Sequence, residues 1–352
     1  MLRYFGHFFG IIVLLCLLLG FAVQGVALLL PRPAQLAFAV RRSDTTADVY
    51  MVDLDRGLTA PLISGIYDRA LSFAPDGALV YSRYIDSDHN LIFSMDSSGH
   101  ETQLSPDAVR DQYPLWSHDG NQVAFMTIDE ANSRLTLYAM NRDGSERRNL
   151  SRQIIPYANT YPVWLPDDTR IMYGYVGAEQ NATYLVNSLT GDLFNFTYST
   201  GIRALPAWSP DGRRIAYVLY ASMYASVYVA EVNADGSVVH GTITEMNNSS
   251  RSYNTYPRWS PDSQRIAYVS DVFGAPEIYA MNYDGTHNVN LSQNGAASDT
   301  FPAWSPDGTR IAFISNRDGV SQIYVMNADG SNQRRVSAVS GDLQISPPTW
   351  LP

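Results

Sequence analysis

The stretch FPAWSPDGTRIAF, residues 301–313, decides how this chain is read. Ser305-Pro306-Asp307-Gly308 suits a type I turn: proline sets φ at the second position, aspartate tolerates the third, and glycine ends it. Short runs that suit strands flank the turn, Pro-Ala-Trp before it and Ile-Ala-Phe after it. The phrase recurs as LSFAPDGALVYS (71–82), PLWSHDGNQVAF (114–125), PVWLPDDTRIMY (162–173), PAWSPDGRRIAY (206–217) and PRWSPDSQRIAY (257–268), and starts again as PTWLP (348–352). Its aromatic anchors, Phe73, Trp116, Trp164, Trp208, Trp259, Trp304 and Trp350, stand 43 to 51 residues apart. A phrase repeated at such a period marks a structural unit, so Asp307 and its counterparts are expected to shape turns rather than carry chemistry.

Each repeat divides into four short strands. The Pro-x-Trp strand comes first and the Ile-Ala-Phe run second. The third is a run such as LYAMN (137–141), IYAMN (278–282) or IYVMN (323–327). Asp-Gly hairpin turns follow it at 143–144, 235–236, 284–285 and 329–330, and lead to outer strands such as RRNLS (147–151). Second-strand segments number seven, from LAFAV (36–40) to IAFIS (311–315). The first lacks its own Pro-x-Trp strand, and PTWLP lacks everything after it. Joining the two predicts an all-β, seven-bladed β-propeller over 34–352, its C-terminal strand closing the first blade and removing free edges.

The pattern P-x-W-S-P-D-G-x-x-I-A-F … I-Y-V-M-N-A-D-G resembles the WD40-like (PD40) repeat of the TolB propeller family. The resemblance covers about 34–352 and implies a periplasmic protein-binding or scaffold role; propellers as a class host many functions. The small α/β domain that precedes the TolB propeller has no counterpart here. The same repeat fronts prolyl-oligopeptidase-like peptidases, but the chain holds no Gly-x-Ser-x-Gly elbow and no hydrolase domain follows.

Composition narrows the function classes. The 352 residues carry a formal net charge of −10, which disfavours nucleic acid as a partner. All 24 basic residues are arginine, so no P-loop or Schiff-base lysine exists. Cys16 is the only cysteine, which leaves neither a disulfide frame nor a Cys-x-x-Cys metal site. It lies in the apolar run 8–30, whose 23 residues would make roughly 34 Å of helix, enough to span a bilayer. The expectation is a short cytoplasmic N-terminus (1–7), an uncleaved transmembrane signal-anchor (8–30) and an extracytoplasmic propeller. Gly25-Val26-Ala27 offers a cleavage site as the alternative. Arginines flank both ends of the run, so charge alone does not orient it.

Chain direction puts the short Ser-Pro-Asp-Gly and Asp-Gly turns on one face and the longer, more varied loops on the other. Loops on a rigid frame are where binding concentrates. Three places before the Pro-x-Trp proline stand Asp111, Asn159, Arg203, Asn254 and Asp299, with Asp68 before the Leu71 variant and Ile345 in the last copy. Beside the proline stand Tyr113, Tyr161, Tyr256 and Phe301. Together they predict a polar and aromatic ring at the channel mouth that binds a protein or peptide segment or a cell-envelope glycan, with Arg203 for an acidic group. The alternative readings are loop caps and inter-blade packing, or an enzyme that uses Asp68, Asp111 and Asp299 as acid–base carboxylates on glycan or peptide. The histidines are not placed to converge, so neither metal nor cofactor is expected.

Overall fold

The computed structural model describes residues 35–352 apart from 43–45, 67–70, 108, 130–133, 152–161, 177–180, 196–203, 222–223, 240, 247–251 and 339–343. The apolar run 8–30 lies outside the described residues, as do Asp68, Asn159, Tyr161 and Arg203. Among the described residues no helix is long and apolar enough to cross a membrane.

The last full repeat shows the plan. Asp299–Trp304, Arg310–Ser315, Gln322–Asn327 and Arg334–Arg335 pair antiparallel in chain order as one four-stranded sheet. Four more four-stranded sheets follow this plan, built on the inner strands Asp111–Trp116, Val163–Trp164, Ala204–Trp208 and Asn254–Trp259. A sixth sheet has eight strands and divides at one residue pair, Ile66↔Arg83. One half is Ser72–Phe73, Leu79–Asp86, His89–Met95 and Glu101–Gln103. In the other half Thr349–Trp350 pairs with Gln35–Arg41, setting Leu36 opposite Trp350 and Ala37 opposite Thr349. Chain end and chain start thus share one sheet, as the unfinished PTWLP repeat requires.

The turns behave as their sequence says. Gly308 N–H donates to Ser305 O at 2.8 Å, and Asp307 Oδ1 accepts from Ser305 Oγ at 2.5 Å and Thr309 N at 3.0 Å. Gly120, Gly212 and Gly308 take φ near 70° at the fourth turn position, and Asp168 and Ser263 adopt the same left-handed backbone without being glycine. Asp307 holds the turn together.

Between sheets the tryptophans do the joining. Trp164, Trp259, Trp304 and Trp350 each donate Nε1–H to the carbonyl just before the preceding anchor: Leu115, Ala207, Arg258 and Ala303, at 2.9–3.1 Å. These bonds tie the first strand of one sheet to that of the next at four junctions. Arg265 stacks over Trp304 at 4.6 Å and Arg310 over Trp350 at 5.6 Å, each reaching from one sheet to the next.

The second and third strands carry the core. In the five four-stranded sheets and in both halves of the eight-stranded one, an aromatic on the second strand stands directly opposite one on the third, from Phe38↔Tyr50 to Phe313↔Tyr324. Their ring centroids are 5.6–6.0 Å apart. Such pairs add to the burial of area that already favours them. Neighbouring sheets cover both faces, so Ile323, Tyr324, Val325 and Met326 are buried in succession.

Candidate functional site

The inner strands begin on the long-loop face, and there the structure changes the expected ring. Asp111, Asn254 and Asp299 do stand at corresponding places, but their side chains are enclosed, at most 1% exposed. Asp111 takes both guanidinium nitrogens of Arg147, with Nη2 at 2.7 Å from Oδ1, and accepts Ser105 Oγ at 2.7 Å and Thr127 Oγ1 at 2.6 Å. Asp299 accepts Arg317 Nη2 at 2.9 Å through Oδ2, while its Oδ1 has no hydrogen-bond partner among the described residues. Asn254 Nδ2 donates to Ala225 O and Ser252 Oγ. Placed as they are, these groups tie each inner strand to its surroundings, and a ligand at the mouth does not meet Asp111. At these three places the polarity that suggested a binding ring belongs to buried groups that need partners.

The aromatics beside the prolines stand otherwise. Tyr113, Tyr256 and Phe301 are half-buried and take φ of 54–55°, a left-handed backbone rare for bulky residues. Each lies where the register of its inner strand slips, between Gln112 and Leu115, Thr255 and Arg258, or Thr300 and Ala303. The bulge re-aims the side chain. Tyr256 and Phe301 meet with centroids 4.5 Å apart. Toward the sheets built on Ala204–Trp208 and Asn254–Trp259 the aromatic surface widens. Tyr220, Tyr253, Val272 and Phe273 are exposed, Phe273 by 83%. They share one neighbourhood: Tyr220 is paired with Ala225, Ala225 bridges to Tyr253, and Tyr253 N donates at 2.6 Å to Asp271, which opens the turn bearing Phe273. Burial, with Tyr256 close by, pushes the Tyr220 hydroxyl above its ordinary pKa, so it stays a neutral donor.

Below the mouth, in five copies (114–116, 162–164, 257–259, 302–304 and 348–350) the Pro and Trp of Pro-x-Trp are buried while the residue between them is more open, so x there faces the channel a propeller encloses. Leu115, Val163, Ala303 and Thr349 stand at that place, all uncharged, whereas Ala207 and Ser72 are buried. At the remaining place stands Arg258, exposed. The sequence marks it, since PRWSP alone carries a charge at x.

Other clusters are already engaged. His118 and Asp119 of one short turn meet Asp168 of the next, with His118 N at 2.7 Å from Oδ1 and Asp119 N at 2.8 Å from Oδ2. A concavity of about 510 Å³ on the short-turn face is lined by Asp96, His100, Arg142 and Asp143 among others. There Arg142 pairs with Asp76 at 2.6 Å and Asp96 is held by its own turn. Among the described residues no group of three or more His, Cys, Asp or Glu could hold a metal ion.

Residues 192–352 match the family model of the TolB beta propeller domain. This part of the chain is similar to TolB-type propellers. In three dimensions the chain is similar to TolB from Acinetobacter baumannii, at 14% identity and a TM-score of 0.56, covering 91% of this chain and 83% of that one. It is also similar to the acylaminoacyl peptidase of Pyrococcus horikoshii, at 12% identity and a TM-score of 0.64, covering 86% of this chain and 51% of that one. The propeller domain of the trilobed protease from Pyrococcus furiosus, described as having an open velcro topology, gives a TM-score of 0.64 at 9% identity, with 86% and 94% covered. Here, by contrast, Thr349–Trp350 pairs with the first strand. An uncharacterized Bacillus subtilis peptidase, YuxL, is 35% identical over 89 residues, 23% of this chain and 12% of that protein's length. At these identities the structural likeness concerns the fold, and it reaches TolB and peptidase propellers alike.

Proposed function

We propose that the chain is a membrane-anchored, extracytoplasmic β-propeller of seven blades whose long-loop face binds a segment of a protein partner. Residues 8–30 are the anchor and 34–352 the propeller. The blades are the five four-stranded sheets and the two halves of the eight-stranded one. The observation that supports binding is the exposed aromatic surface of Tyr220, Tyr253 and Phe273 on the face where the loops vary. Aromatic side chains on a rigid frame give large contact area with few rotamers to freeze. The peptidase neighbours suggest the rival, a cleaving enzyme. That rival needs a free acid–base pair, whereas Asp111 and Asp299 are both held by arginines.

A photo-crosslinking residue in place of Phe273, used in intact cells, tests the reading. Adducts to one partner are expected, lost in the Tyr253→Ser, Phe273→Ser variant while its melting temperature stays put. Shortening of that partner on incubation with purified protein supports the enzyme instead. Protease added to cells stripped of any outer layer should digest the body, and digestion only after the inner membrane is broken contradicts the location.

A further inference from the structure

Arg258 differs from the arginines held by carboxylates, and from Arg265 and Arg310, which lie over tryptophan rings. Arg147 is bound to Asp111, Arg317 to Asp299, Arg83 to Glu101 and Arg142 to Asp76. Arg258 has no acidic partner among the described residues; its guanidinium hydrogen bond, Nη1 to Pro257 O at 3.3 Å, goes to its own strand. Its side chain is exposed to solvent. Desolvation still pushes its pKa down, with Tyr256 opposing. An arginine stays charged nonetheless. The described channel wall at its level is uncharged, and low-dielectric walls concentrate the field of a lone charge. A cation so placed is short of a counter-charge, which an incoming anion supplies.

We propose that Arg258 is the anchor of a channel site for a peptide carboxylate, with the peptide entering past Tyr253, Tyr256 and Phe301. This rests on the binding reading above and names the chemistry the site selects. The planar guanidinium fork matches a carboxylate through two parallel hydrogen bonds. Arg258 lies four residues along its strand from Asn254 at the mouth, about 13 Å at ordinary strand rise, a depth that an extended chain end spans. The half-buried Tyr256 and Phe301 line that approach with apolar rings. A peptide therefore gains contacts on the way in that a free inorganic anion does not.

The test uses fluorescence anisotropy with the full chain in detergent. The probes are two pools of labelled hexapeptides rich in aromatic and aliphatic residues, one ending in a free carboxylate and one in an amide. The acid pool should bind the native protein roughly ten- to hundredfold more tightly, the usual gain from hydrogen bonds to a charged group. Arg258→Gln should bring the acid pool down to the amide pool while leaving crosslinking at Phe273 intact. Arg258→Lys should keep part of the preference. Because Arg258→Gln removes an uncompensated charge, it should melt at the same temperature or higher, and a marked fall would make Arg258 structural and overturn the site. Equal binding of the two pools, or a preference that survives Arg258→Gln, also overturns it. Inorganic phosphate binding as tightly as the acid pool would reduce it to a simple anion site. Loss of the Phe273 adducts in the native protein would instead sink the wider binding reading.

Discussion

Asp111 has both oxygens occupied by Arg147 and is fully enclosed, so it is a brace for the inner strand. Removing one partner of a buried ion pair strands the other, and Asp111→Ala should cost about 3–5 kcal/mol in chemical denaturation. Adding Arg147→Ala to it should cost far less than a second such loss, and full additivity would mean that the two do not act as a pair. At the turns, Ser305 holds the Asp307 carboxyl below its ordinary pKa, burial opposes, and Thr309 assists. A carboxyl lowered on folding contributes stability that is present above its unfolded pKa and is lost as pH falls through the folded one. The stability from this turn should therefore fade only in acid, below the ordinary aspartate range near about 3.9. Ser305→Ala should move the Asp307 titration upward in an NMR measurement of its carboxyl carbon. An unmoved titration would remove Ser305 as the cause.

Among elements, the close approach of one blade's hairpin to the next makes two glycines unequal. A Cβ at Gly330 would come 2.7 Å from Leu291 O in the preceding sheet, whereas one at Gly319 would meet nothing within 4 Å. Both have φ near 90°. Gly319→Ala should cost only the left-handed penalty of roughly 1–2 kcal/mol, and Gly330→Ala clearly more. Equal losses would show that the hairpin is not pressed on its neighbour. The strands, short turns and closing half-repeat were legible because proline, glycine and the tryptophan anchors act locally and recur. The fate of the inner ring was not. Whether Asp111 faces a ligand depends on Arg147, 36 residues on and across the sheet, and nothing in the local phrase reveals that pairing. The bulges at Tyr113, Tyr256 and Phe301 were hidden too, since an aromatic before proline ordinarily reads as extended. Arg258 was visible as an exception within the repeat, but its channel position required the sheet.

For the whole molecule, everything on the long-loop face depends on a ring that holds its inner strands at fixed spacing. The bond from Trp350 Nε1 to Ala303 O at 2.9 Å and the pairing of Thr349–Trp350 with the first strand make the join. Two further links cross the same seam, Thr59 Oγ1 to Val336 O and Arg334 Nη2 to Leu54 O, both at 3.0 Å. Trp350→Ala should cost about 3–5 kcal/mol, as expected for a large buried aromatic, and lower the melting temperature. The most direct measurement is a crosslink across the join. With Cys16→Ser as background, Ala37→Cys and Thr349→Cys should form a disulfide under mild oxidation, since directly opposed antiparallel residues lie within disulfide reach. The oxidised protein should melt higher than its reduced form. Cysteines that stay free under oxidation, in a protein whose melting is indifferent to Trp350→Ala, would contradict the closed ring.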